Sequence, residues 1–189
     1  TGNAASFERD KAVARWCRAQ GVQWQEFAPF GVVRRLASRD QWHAHWAAHT
    51  QAAQWPSPAP GTLQFQPAPW ERQRAPAAPD LGLHDPDPPR RQRGGRSRGL
   101  AVLQDFLQYR CHQYRGGISS PLSAPTACSR LSPHLAYGTL SLREVVQATE
   151  HQLLQYQEHS AHSAKGLSAF LSRLHWHCHF IQKLESEPE

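Results

Sequence analysis

The sequence predicts a mainly α-helical protein, preceded by the remnant of an α/β domain and a long proline-rich connector. Apolar residues recur at helical spacing through most of the chain after Gly94, and a single helix–turn–strand pattern stands at its start. Ten of the fifteen prolines fall within residues 55–89, where they exclude any regular helix or central strand. The chain of 189 residues therefore divides into three parts.

The first part is predicted to be one helix and one strand. A helix is expected over residues 6–20, and Gly21 ends it. Residues 22–27 alternate apolar and polar side chains, which is the pattern of a half-buried strand. Because one such unit cannot bury its own faces, we expect its sheet partners to lie upstream of Thr1.

The second part is predicted to connect two domains. A helix is expected from about Ser38 to Gln54, with Trp42 and Trp46 on one face. The proline-rich residues 55–89 that follow are interpreted as an interdomain linker.

The third part is predicted to consist of helices alone. Ser132 is expected to cap a short helix with Pro133 at its first position, and Ser141 with Glu144 forms a capping box for the next. A Gly/Ser/Pro loop is expected at 116–127. The helices are predicted over residues 97–114, 132–137, from 141 through 154, and 163–184.

Composition narrows the function classes. The formal net charge is +6, and arginine far outnumbers lysine; this favours polyanionic partners, although genomic composition explains it equally well. Four cysteines form neither a CxxC pair nor a disulfide framework, so we expect reduced thiols in a cytoplasmic protein. We also expect the protein to be a monomer. No apolar run approaches the roughly 18 residues of a membrane span. The chain contains no methionine, and we interpret it as a fragment of a longer gene product.

Two segments carry the functional signal. Residues 128–141 read CSRLSPHLAYGTLS, and residues 170–180 read FLSRLHWHCHF. Two hydroxyls flank Arg130, and the helix predicted to begin at Ser132 presents free N–H groups, which suit a phosphate. A helix start that binds no ligand is the alternative.

In this order, the two segments resemble the flavin-binding domain of the photolyase/cryptochrome family. Gly94-Gly95 is similar to the double glycine that opens that domain, and the stretch from Phe30 to Trp42 is similar to the connector of one bacterial branch. The resemblance implies three regions: residues 1–30 as the tail of an α/β antenna domain, residues 31–93 as the connector, and residues 94–189 as the N-terminal half of the helical FAD-binding domain.

The resemblance implies FAD as cofactor and damaged DNA as partner. Its first implication is blue-light-driven repair of pyrimidine dimers by electron transfer from reduced flavin, the lyase activity of a deoxyribodipyrimidine photolyase. The alternative is a cryptochrome-type photoreceptor without repair activity. Because the flavin carries the chemistry, no catalytic residue is expected in this stretch, and the fragment alone is expected to be inactive. An antenna chromophore and, in some bacterial members, an iron–sulfur cluster would belong to the longer protein.

The resemblance also implies site residues. Trp176 corresponds to a tryptophan that stacks on a flipped dimer, although a core tryptophan is as good an interpretation. Cys128 replaces a threonine hydroxyl with a weaker thiol donor. Arg173 and His177 replace a glutamate and an arginine, which mildly favours the photoreceptor. The implied FAD contacts are Tyr114, Cys128, Ser129, Arg130, Leu131, Ser132, Phe170, Arg173 and His177.

Histidines and arginines suggest two rival functions. Only positions i, i+3 and i+4 share a helix face, which pairs His45 with His49, and His175 with Cys178 and His179. Both sets fall short of four ligands, so no metal site is predicted. Five of the nine residues at 90–98 are arginines that could neutralise DNA phosphates, although such runs are more often solvated tethers.

Overall fold

The computed structural model describes residues 4–27, 30–64, 76–83, 88 and 91–187. Within these ranges the chain forms α-helices and no β-strand, so the predicted mainly helical class is confirmed. The helices are α1 (Ala4–Ala19), α2 (Trp42–Gln51), α3 (Arg96–Asp105), α4 (Cys111–Gly117), α5 (Ala124–Ala127), α6 (Ser132–Ala136), α7 (Leu142–His159) and α8 (Ala161–Ser186).

The chain divides into two compact units. The first, which we call the helical unit, joins Thr1–Ala53 to Gly94–Glu189, and the second is Gln54–Arg93. In the second unit the described residues form 3₁₀ turns at Pro60–Thr62 and Ala78–Leu81. Residues 65–75, 84–87, 89 and 90 of the predicted linker and arginine run lie outside the described residues.

The core of the helical unit lies around α8. This helix packs on α4 and α7, and α2 packs on α7. Fully buried apolar side chains include Phe106, Leu131, Leu140, Leu142, Val145, Val146 and Leu167. Burying a leucine or phenylalanine side chain contributes roughly 1.5–3 kcal/mol each, so this cluster dominates the stability of the unit.

A π-helical turn at Phe106–Arg110 joins α3 to α4. The predicted continuous helix over 97–114 is therefore wrong in this respect, because one wider turn shifts the register of the residues that follow. Leu103, Phe106 and Leu107 are buried, whereas Tyr109 is turned outward and Tyr114 takes the inward position. Helical backbone is lost at Arg115 and Gly116.

The segment around Val33 is hydrogen-bonded to α8 by one glutamine. Gln182 is fully buried, and its side-chain oxygen accepts from the Val33 N–H at 2.7 Å while its amide nitrogen donates to the Val33 carbonyl at 3.0 Å. Nearby, the Trp42 indole N–H donates to the Gly31 carbonyl at 2.8 Å. These bonds satisfy polar groups that would be costly to leave unpaired.

Helix caps agree with the sequence in one place and differ in another. The Ser141 hydroxyl accepts from the Glu144 N–H at 3.1 Å, which confirms the predicted cap of α7. The Glu144 carboxylate does not complete the capping box, since it accepts two hydrogen bonds from Arg96 at 3.0 and 2.6 Å. Arg96, counted in the predicted arginine run, is thus held by an ion pair within the helical unit.

The N-terminal α/β prediction is only half correct. Helix α1 ends as predicted, with Gly21 in the left-handed region at φ +66°. Residues 22–27 are not a strand in the described part of the chain, because no neighbouring segment supplies ladder hydrogen bonds. Trp16 and Phe27 consequently remain 59% and 79% exposed.

No helix in the described ranges is long and apolar enough to cross a membrane.

Candidate functional site

The loop at residues 128–132 is held in place by Arg110. The guanidinium donates to the carbonyls of Thr126, Cys128 and Ser129, and its Nε donates to the Asp105 carboxylate. One side chain thus anchors the backbone that precedes α6. Sequence analysis missed Arg110, although its position four residues before Tyr114 indicates that the two side chains share a helix face.

The start of α6 differs from the prediction. Leu131, not Ser132, occupies the N-cap position; no side-chain cap is formed, and Ser132 is the first helical residue. Leu131 fills the cap because its side chain is buried in the core at 1% exposure. Ser132 remains exposed, and Arg130 adopts φ +64°, which is uncommon for a residue other than glycine. A helix of five residues provides only a weak dipole for an anion.

Tyr114 and Phe170 lie together in the core with Phe106. The three rings meet edge to face, with centroids 4.8 to 5.5 Å apart. Burial raises the pKa of Tyr114 to about 12, so its hydroxyl stays protonated at neutral pH. In this arrangement the two side chains support the site from within and present no open face to solvent.

The two segments that resemble the flavin site both lie close to Tyr114. The Phe170 ring of α8 meets the Tyr114 ring edge to face at 5.5 Å, and Arg110, one turn before Tyr114, donates to the Cys128 carbonyl. The loop and α8 therefore both contact the helical stretch around this tyrosine. We call Tyr114, Phe170, the loop at 128–132 and Arg173 the candidate site.

Arg173 and Trp176 form an exposed pair on the outer face of α8. The guanidinium carbon lies 4.8 Å from the centre of the indole, which is 49% exposed. The Phe180 ring meets the same indole edge to face at 6.2 Å. Trp176 is thus not a core residue, and the guanidinium covers part of its surface.

His177 lies apart from the candidate site. Its ring contacts Phe30 edge to face at 5.0 Å, and burial lowers its pKa. The structure therefore brings His177 to Phe30, whereas Tyr114, Cys128, Phe170 and Arg173 lie nearer one another in the candidate site.

The predicted pairing of His175 with His179 is found, since the two rings stack with centres 6.5 Å apart, and a further histidine joins them. His175 contacts His43 of α2, with Nε2 and Nδ1 3.0 Å apart. Cys178 is fully buried, and burial raises the pKa of its thiol to about 11. Among the described residues, no group of three or more histidine, cysteine or acidic side chains converges on a point that could hold a metal ion.

A cavity of about 420 Å³ lies elsewhere, between α1 and the C-terminal end of α8. Its lining includes Phe7, Arg34, Arg35 and Glu185, and none of the predicted FAD contacts. Arg34 pairs with Glu26 at 3.1 Å and with Glu185 at 3.4 Å, so much of the lining charge is already neutralised.

Comparison with known proteins yields no relative: no protein-family profile, no curated protein and no solved structure matches this chain.

Proposed function

We propose that the chain is part of a flavoprotein of the photolyase/cryptochrome type, with light-driven repair of pyrimidine dimers as its function. The observation that supports this most directly is that two segments distant in sequence lie close to Tyr114: Phe170 of α8 packs on its ring, and the Cys128 carbonyl accepts from Arg110, one turn before it. These are the segments whose residues resemble the family's flavin site.

The residues fit FAD in part. Exposed Ser132 and the partly exposed Ser129 each offer a hydroxyl to a pyrophosphate, and Arg130 and Arg173 offer cations. Tyr114, Leu131 and Phe170 are buried, so their role would be to support the pocket wall rather than to touch the cofactor.

When bound and reduced, the flavin would supply the electron that splits the dimer. The protein's own residues would position the flavin and recognise the damaged base. Arg110 holds the loop, the hydroxyls and arginines bind phosphate, and Trp176 provides an aromatic surface for an extruded base, worth about 1–3 kcal/mol per stacked base.

A photoreceptor without repair activity is the second candidate. It is favoured by the position of Arg173, whose guanidinium lies 4.8 Å from the indole centre of Trp176 and would have to move before a base could stack there.

The test is an absorption spectrum of the protein expressed from its complete gene and purified in the dark, followed by a dimer-repair assay under blue light. Flavin bands with repair support the photolyase proposal. Flavin without repair supports the photoreceptor, and absence of flavin overturns both.

A matched pair of variants makes this test specific. Trp176→Ala is expected to reduce dimer binding and repair while the flavin content is retained. Leu184→Ala removes another exposed apolar side chain from the same helix, about two turns beyond Trp176, and is expected to leave repair unchanged. Equal loss in both variants would contradict the role assigned to Trp176.

A further inference from the structure

The histidines that join α2 to α8 form a cluster outside the candidate site. His43 Nδ1 and His175 Nε2 lie 3.0 Å apart, and their ring centres are 5.0 Å apart. His179, one turn further along α8, stacks parallel to His175 at 6.5 Å. Each ring projects from a helix, so the backbone fixes the spacing.

We propose that His43 and His175 form a two-histidine site for a divalent transition metal ion, best suited to Ni²⁺ or Cu²⁺. This inference does not depend on flavin binding.

The spacing of the two nitrogens supports this class of ligand. Imidazole nitrogens bind such ions at about 2.0–2.1 Å, which places two of them about 2.9 Å apart at adjacent corners of a square-planar or octahedral ion. A tetrahedral ion would require about 3.3 Å. The observed 3.0 Å is close to the first distance, so rotation of the two rings would turn both lone pairs from the hydrogen bond toward a shared ion without separating the helices.

Binding requires a change of tautomer in one of the two rings. In the metal-free pair, one of the two facing nitrogens donates a hydrogen bond to the other. On binding, that ring changes tautomer, its proton moves to the other ring nitrogen, and both lone pairs face the ion.

Two tryptophans make the site observable. The rings of Trp42 and Trp46 are each centred 4.9 Å from the His175 ring. A paramagnetic ion bound there would quench their fluorescence.

The test is a titration of the tag-free protein with Ni²⁺, followed by tryptophan fluorescence and reversed with EDTA. His43→Ala and His175→Ala are each expected to weaken binding by on the order of tenfold or more. Zn²⁺ is expected to bind less tightly than Ni²⁺. Should His175→Ala fail to fold, His43→Ala alone decides the matter, because His43 is exposed.

The control is His45→Ala, which removes an exposed histidine from the same helix. It is expected to bind Ni²⁺ as the parent protein does. If His45→Ala weakens binding instead, the ion lies on the i, i+4 pair of His45 and His49, and the proposed site is wrong. Quenching that is absent, or equal in all variants, overturns it as well.

Discussion

The two faces of α8 carry similar residues in different surroundings. On the inner face the apolar side chains are buried; they include Leu167, Phe170, Leu174 and Cys178. On the outer face Trp176, Phe180 and Leu184 are 49 to 56% exposed. Apolar character alone therefore does not identify the core of this helix. What separates the faces is whether another helix lies opposite.

The contrast between the two faces indicates which side chains of α8 are available to a ligand or partner. Inward residues of α8 fill volume and tolerate little change, whereas outward aromatic residues beside Arg173 add no core packing. An exposed aromatic cluster on an otherwise polar face favours interaction with a ligand or partner. For this reason we propose that Trp176, and not the equally aromatic Phe170, contacts an extruded base.

Truncating one phenylalanine on each face tests this contrast most directly. Phe170→Ala removes a ring packed against Phe106 and Tyr114 and is expected to lower the free energy of unfolding by about 3–5 kcal/mol. Phe180→Ala is expected to change it by less than about 0.5 kcal/mol. Urea unfolding followed by circular dichroism measures both, and similar losses would contradict the assignment of faces.

A second variant tests the contact between α8 and α4. A Cβ on Gly166 would overlap the carbonyl oxygen of Cys111, so the two helices would have to separate. Gly166→Ala is expected to destabilise the protein by about 3 kcal/mol, even though alanine is the better helix former.

Gly94→Ala is the matched control, because nothing lies within 4 Å of the place that its methyl group would occupy, and its φ is not in the left-handed region. Thermal unfolding of the two variants is expected to differ clearly. An unchanged melting temperature for Gly166→Ala would show that the helices cross at a greater distance.

A third variant tests the inner face at its C-terminal end. Gln182→Ala leaves the Val33 N–H and carbonyl without their partners and is expected to cost about 2 kcal/mol. Lys183→Ala, at the adjacent exposed position, is expected to have almost no effect. Hydrogen exchange at the Val33 amide provides a local measurement, and protection that persists in Gln182→Ala would argue against this bond.

The smallest expected effect is on the pH dependence of stability. Burial lowers the pKa of His49 below 6.5, and the nearby Arg143 lowers it further. The unfolded chain therefore binds this proton more readily, and stability is lost as the pH falls through 6.5.

We expect His49→Gln to flatten this loss in melting temperatures measured between about pH 7.5 and about pH 5.5. His45→Gln, an exposed change on the same helix, should retain the slope of the parent protein. A slope that is identical in all three proteins would exclude His49 as its source.

Much of the helical architecture was predictable because its signals are local. Gly21 ends α1, Ser141 caps α7, and Trp42 and Trp46 share the buried face of α2, as periodicity and capping chemistry indicate. The predicted strand at 22–27 failed because a strand depends on neighbours that alternation of side chains cannot supply. The cap at Ser132 failed because burial of Leu131 outweighed capping preference.

The candidate site was predictable only in part. Its residues were taken from the resemblance of two segments to a known family, whereas Arg110, which anchors the loop, carried only a weak signal in its spacing from Tyr114. The separation of His177 from the other predicted residues could not be predicted from the sequence, because its contact with Phe30 joins positions far apart in the chain.

Spacing and capping within a few residues are enough to specify the helical class and most helix boundaries. Tertiary packing was needed to specify the π-helical turn, the close approach at Gly166, the bond between Gln182 and Val33, and the pairing of His43 with His175. Each of these depends on which helices meet. Contacts between distant residues produce no periodic pattern in a single sequence, so they are determined only when the helices pack together.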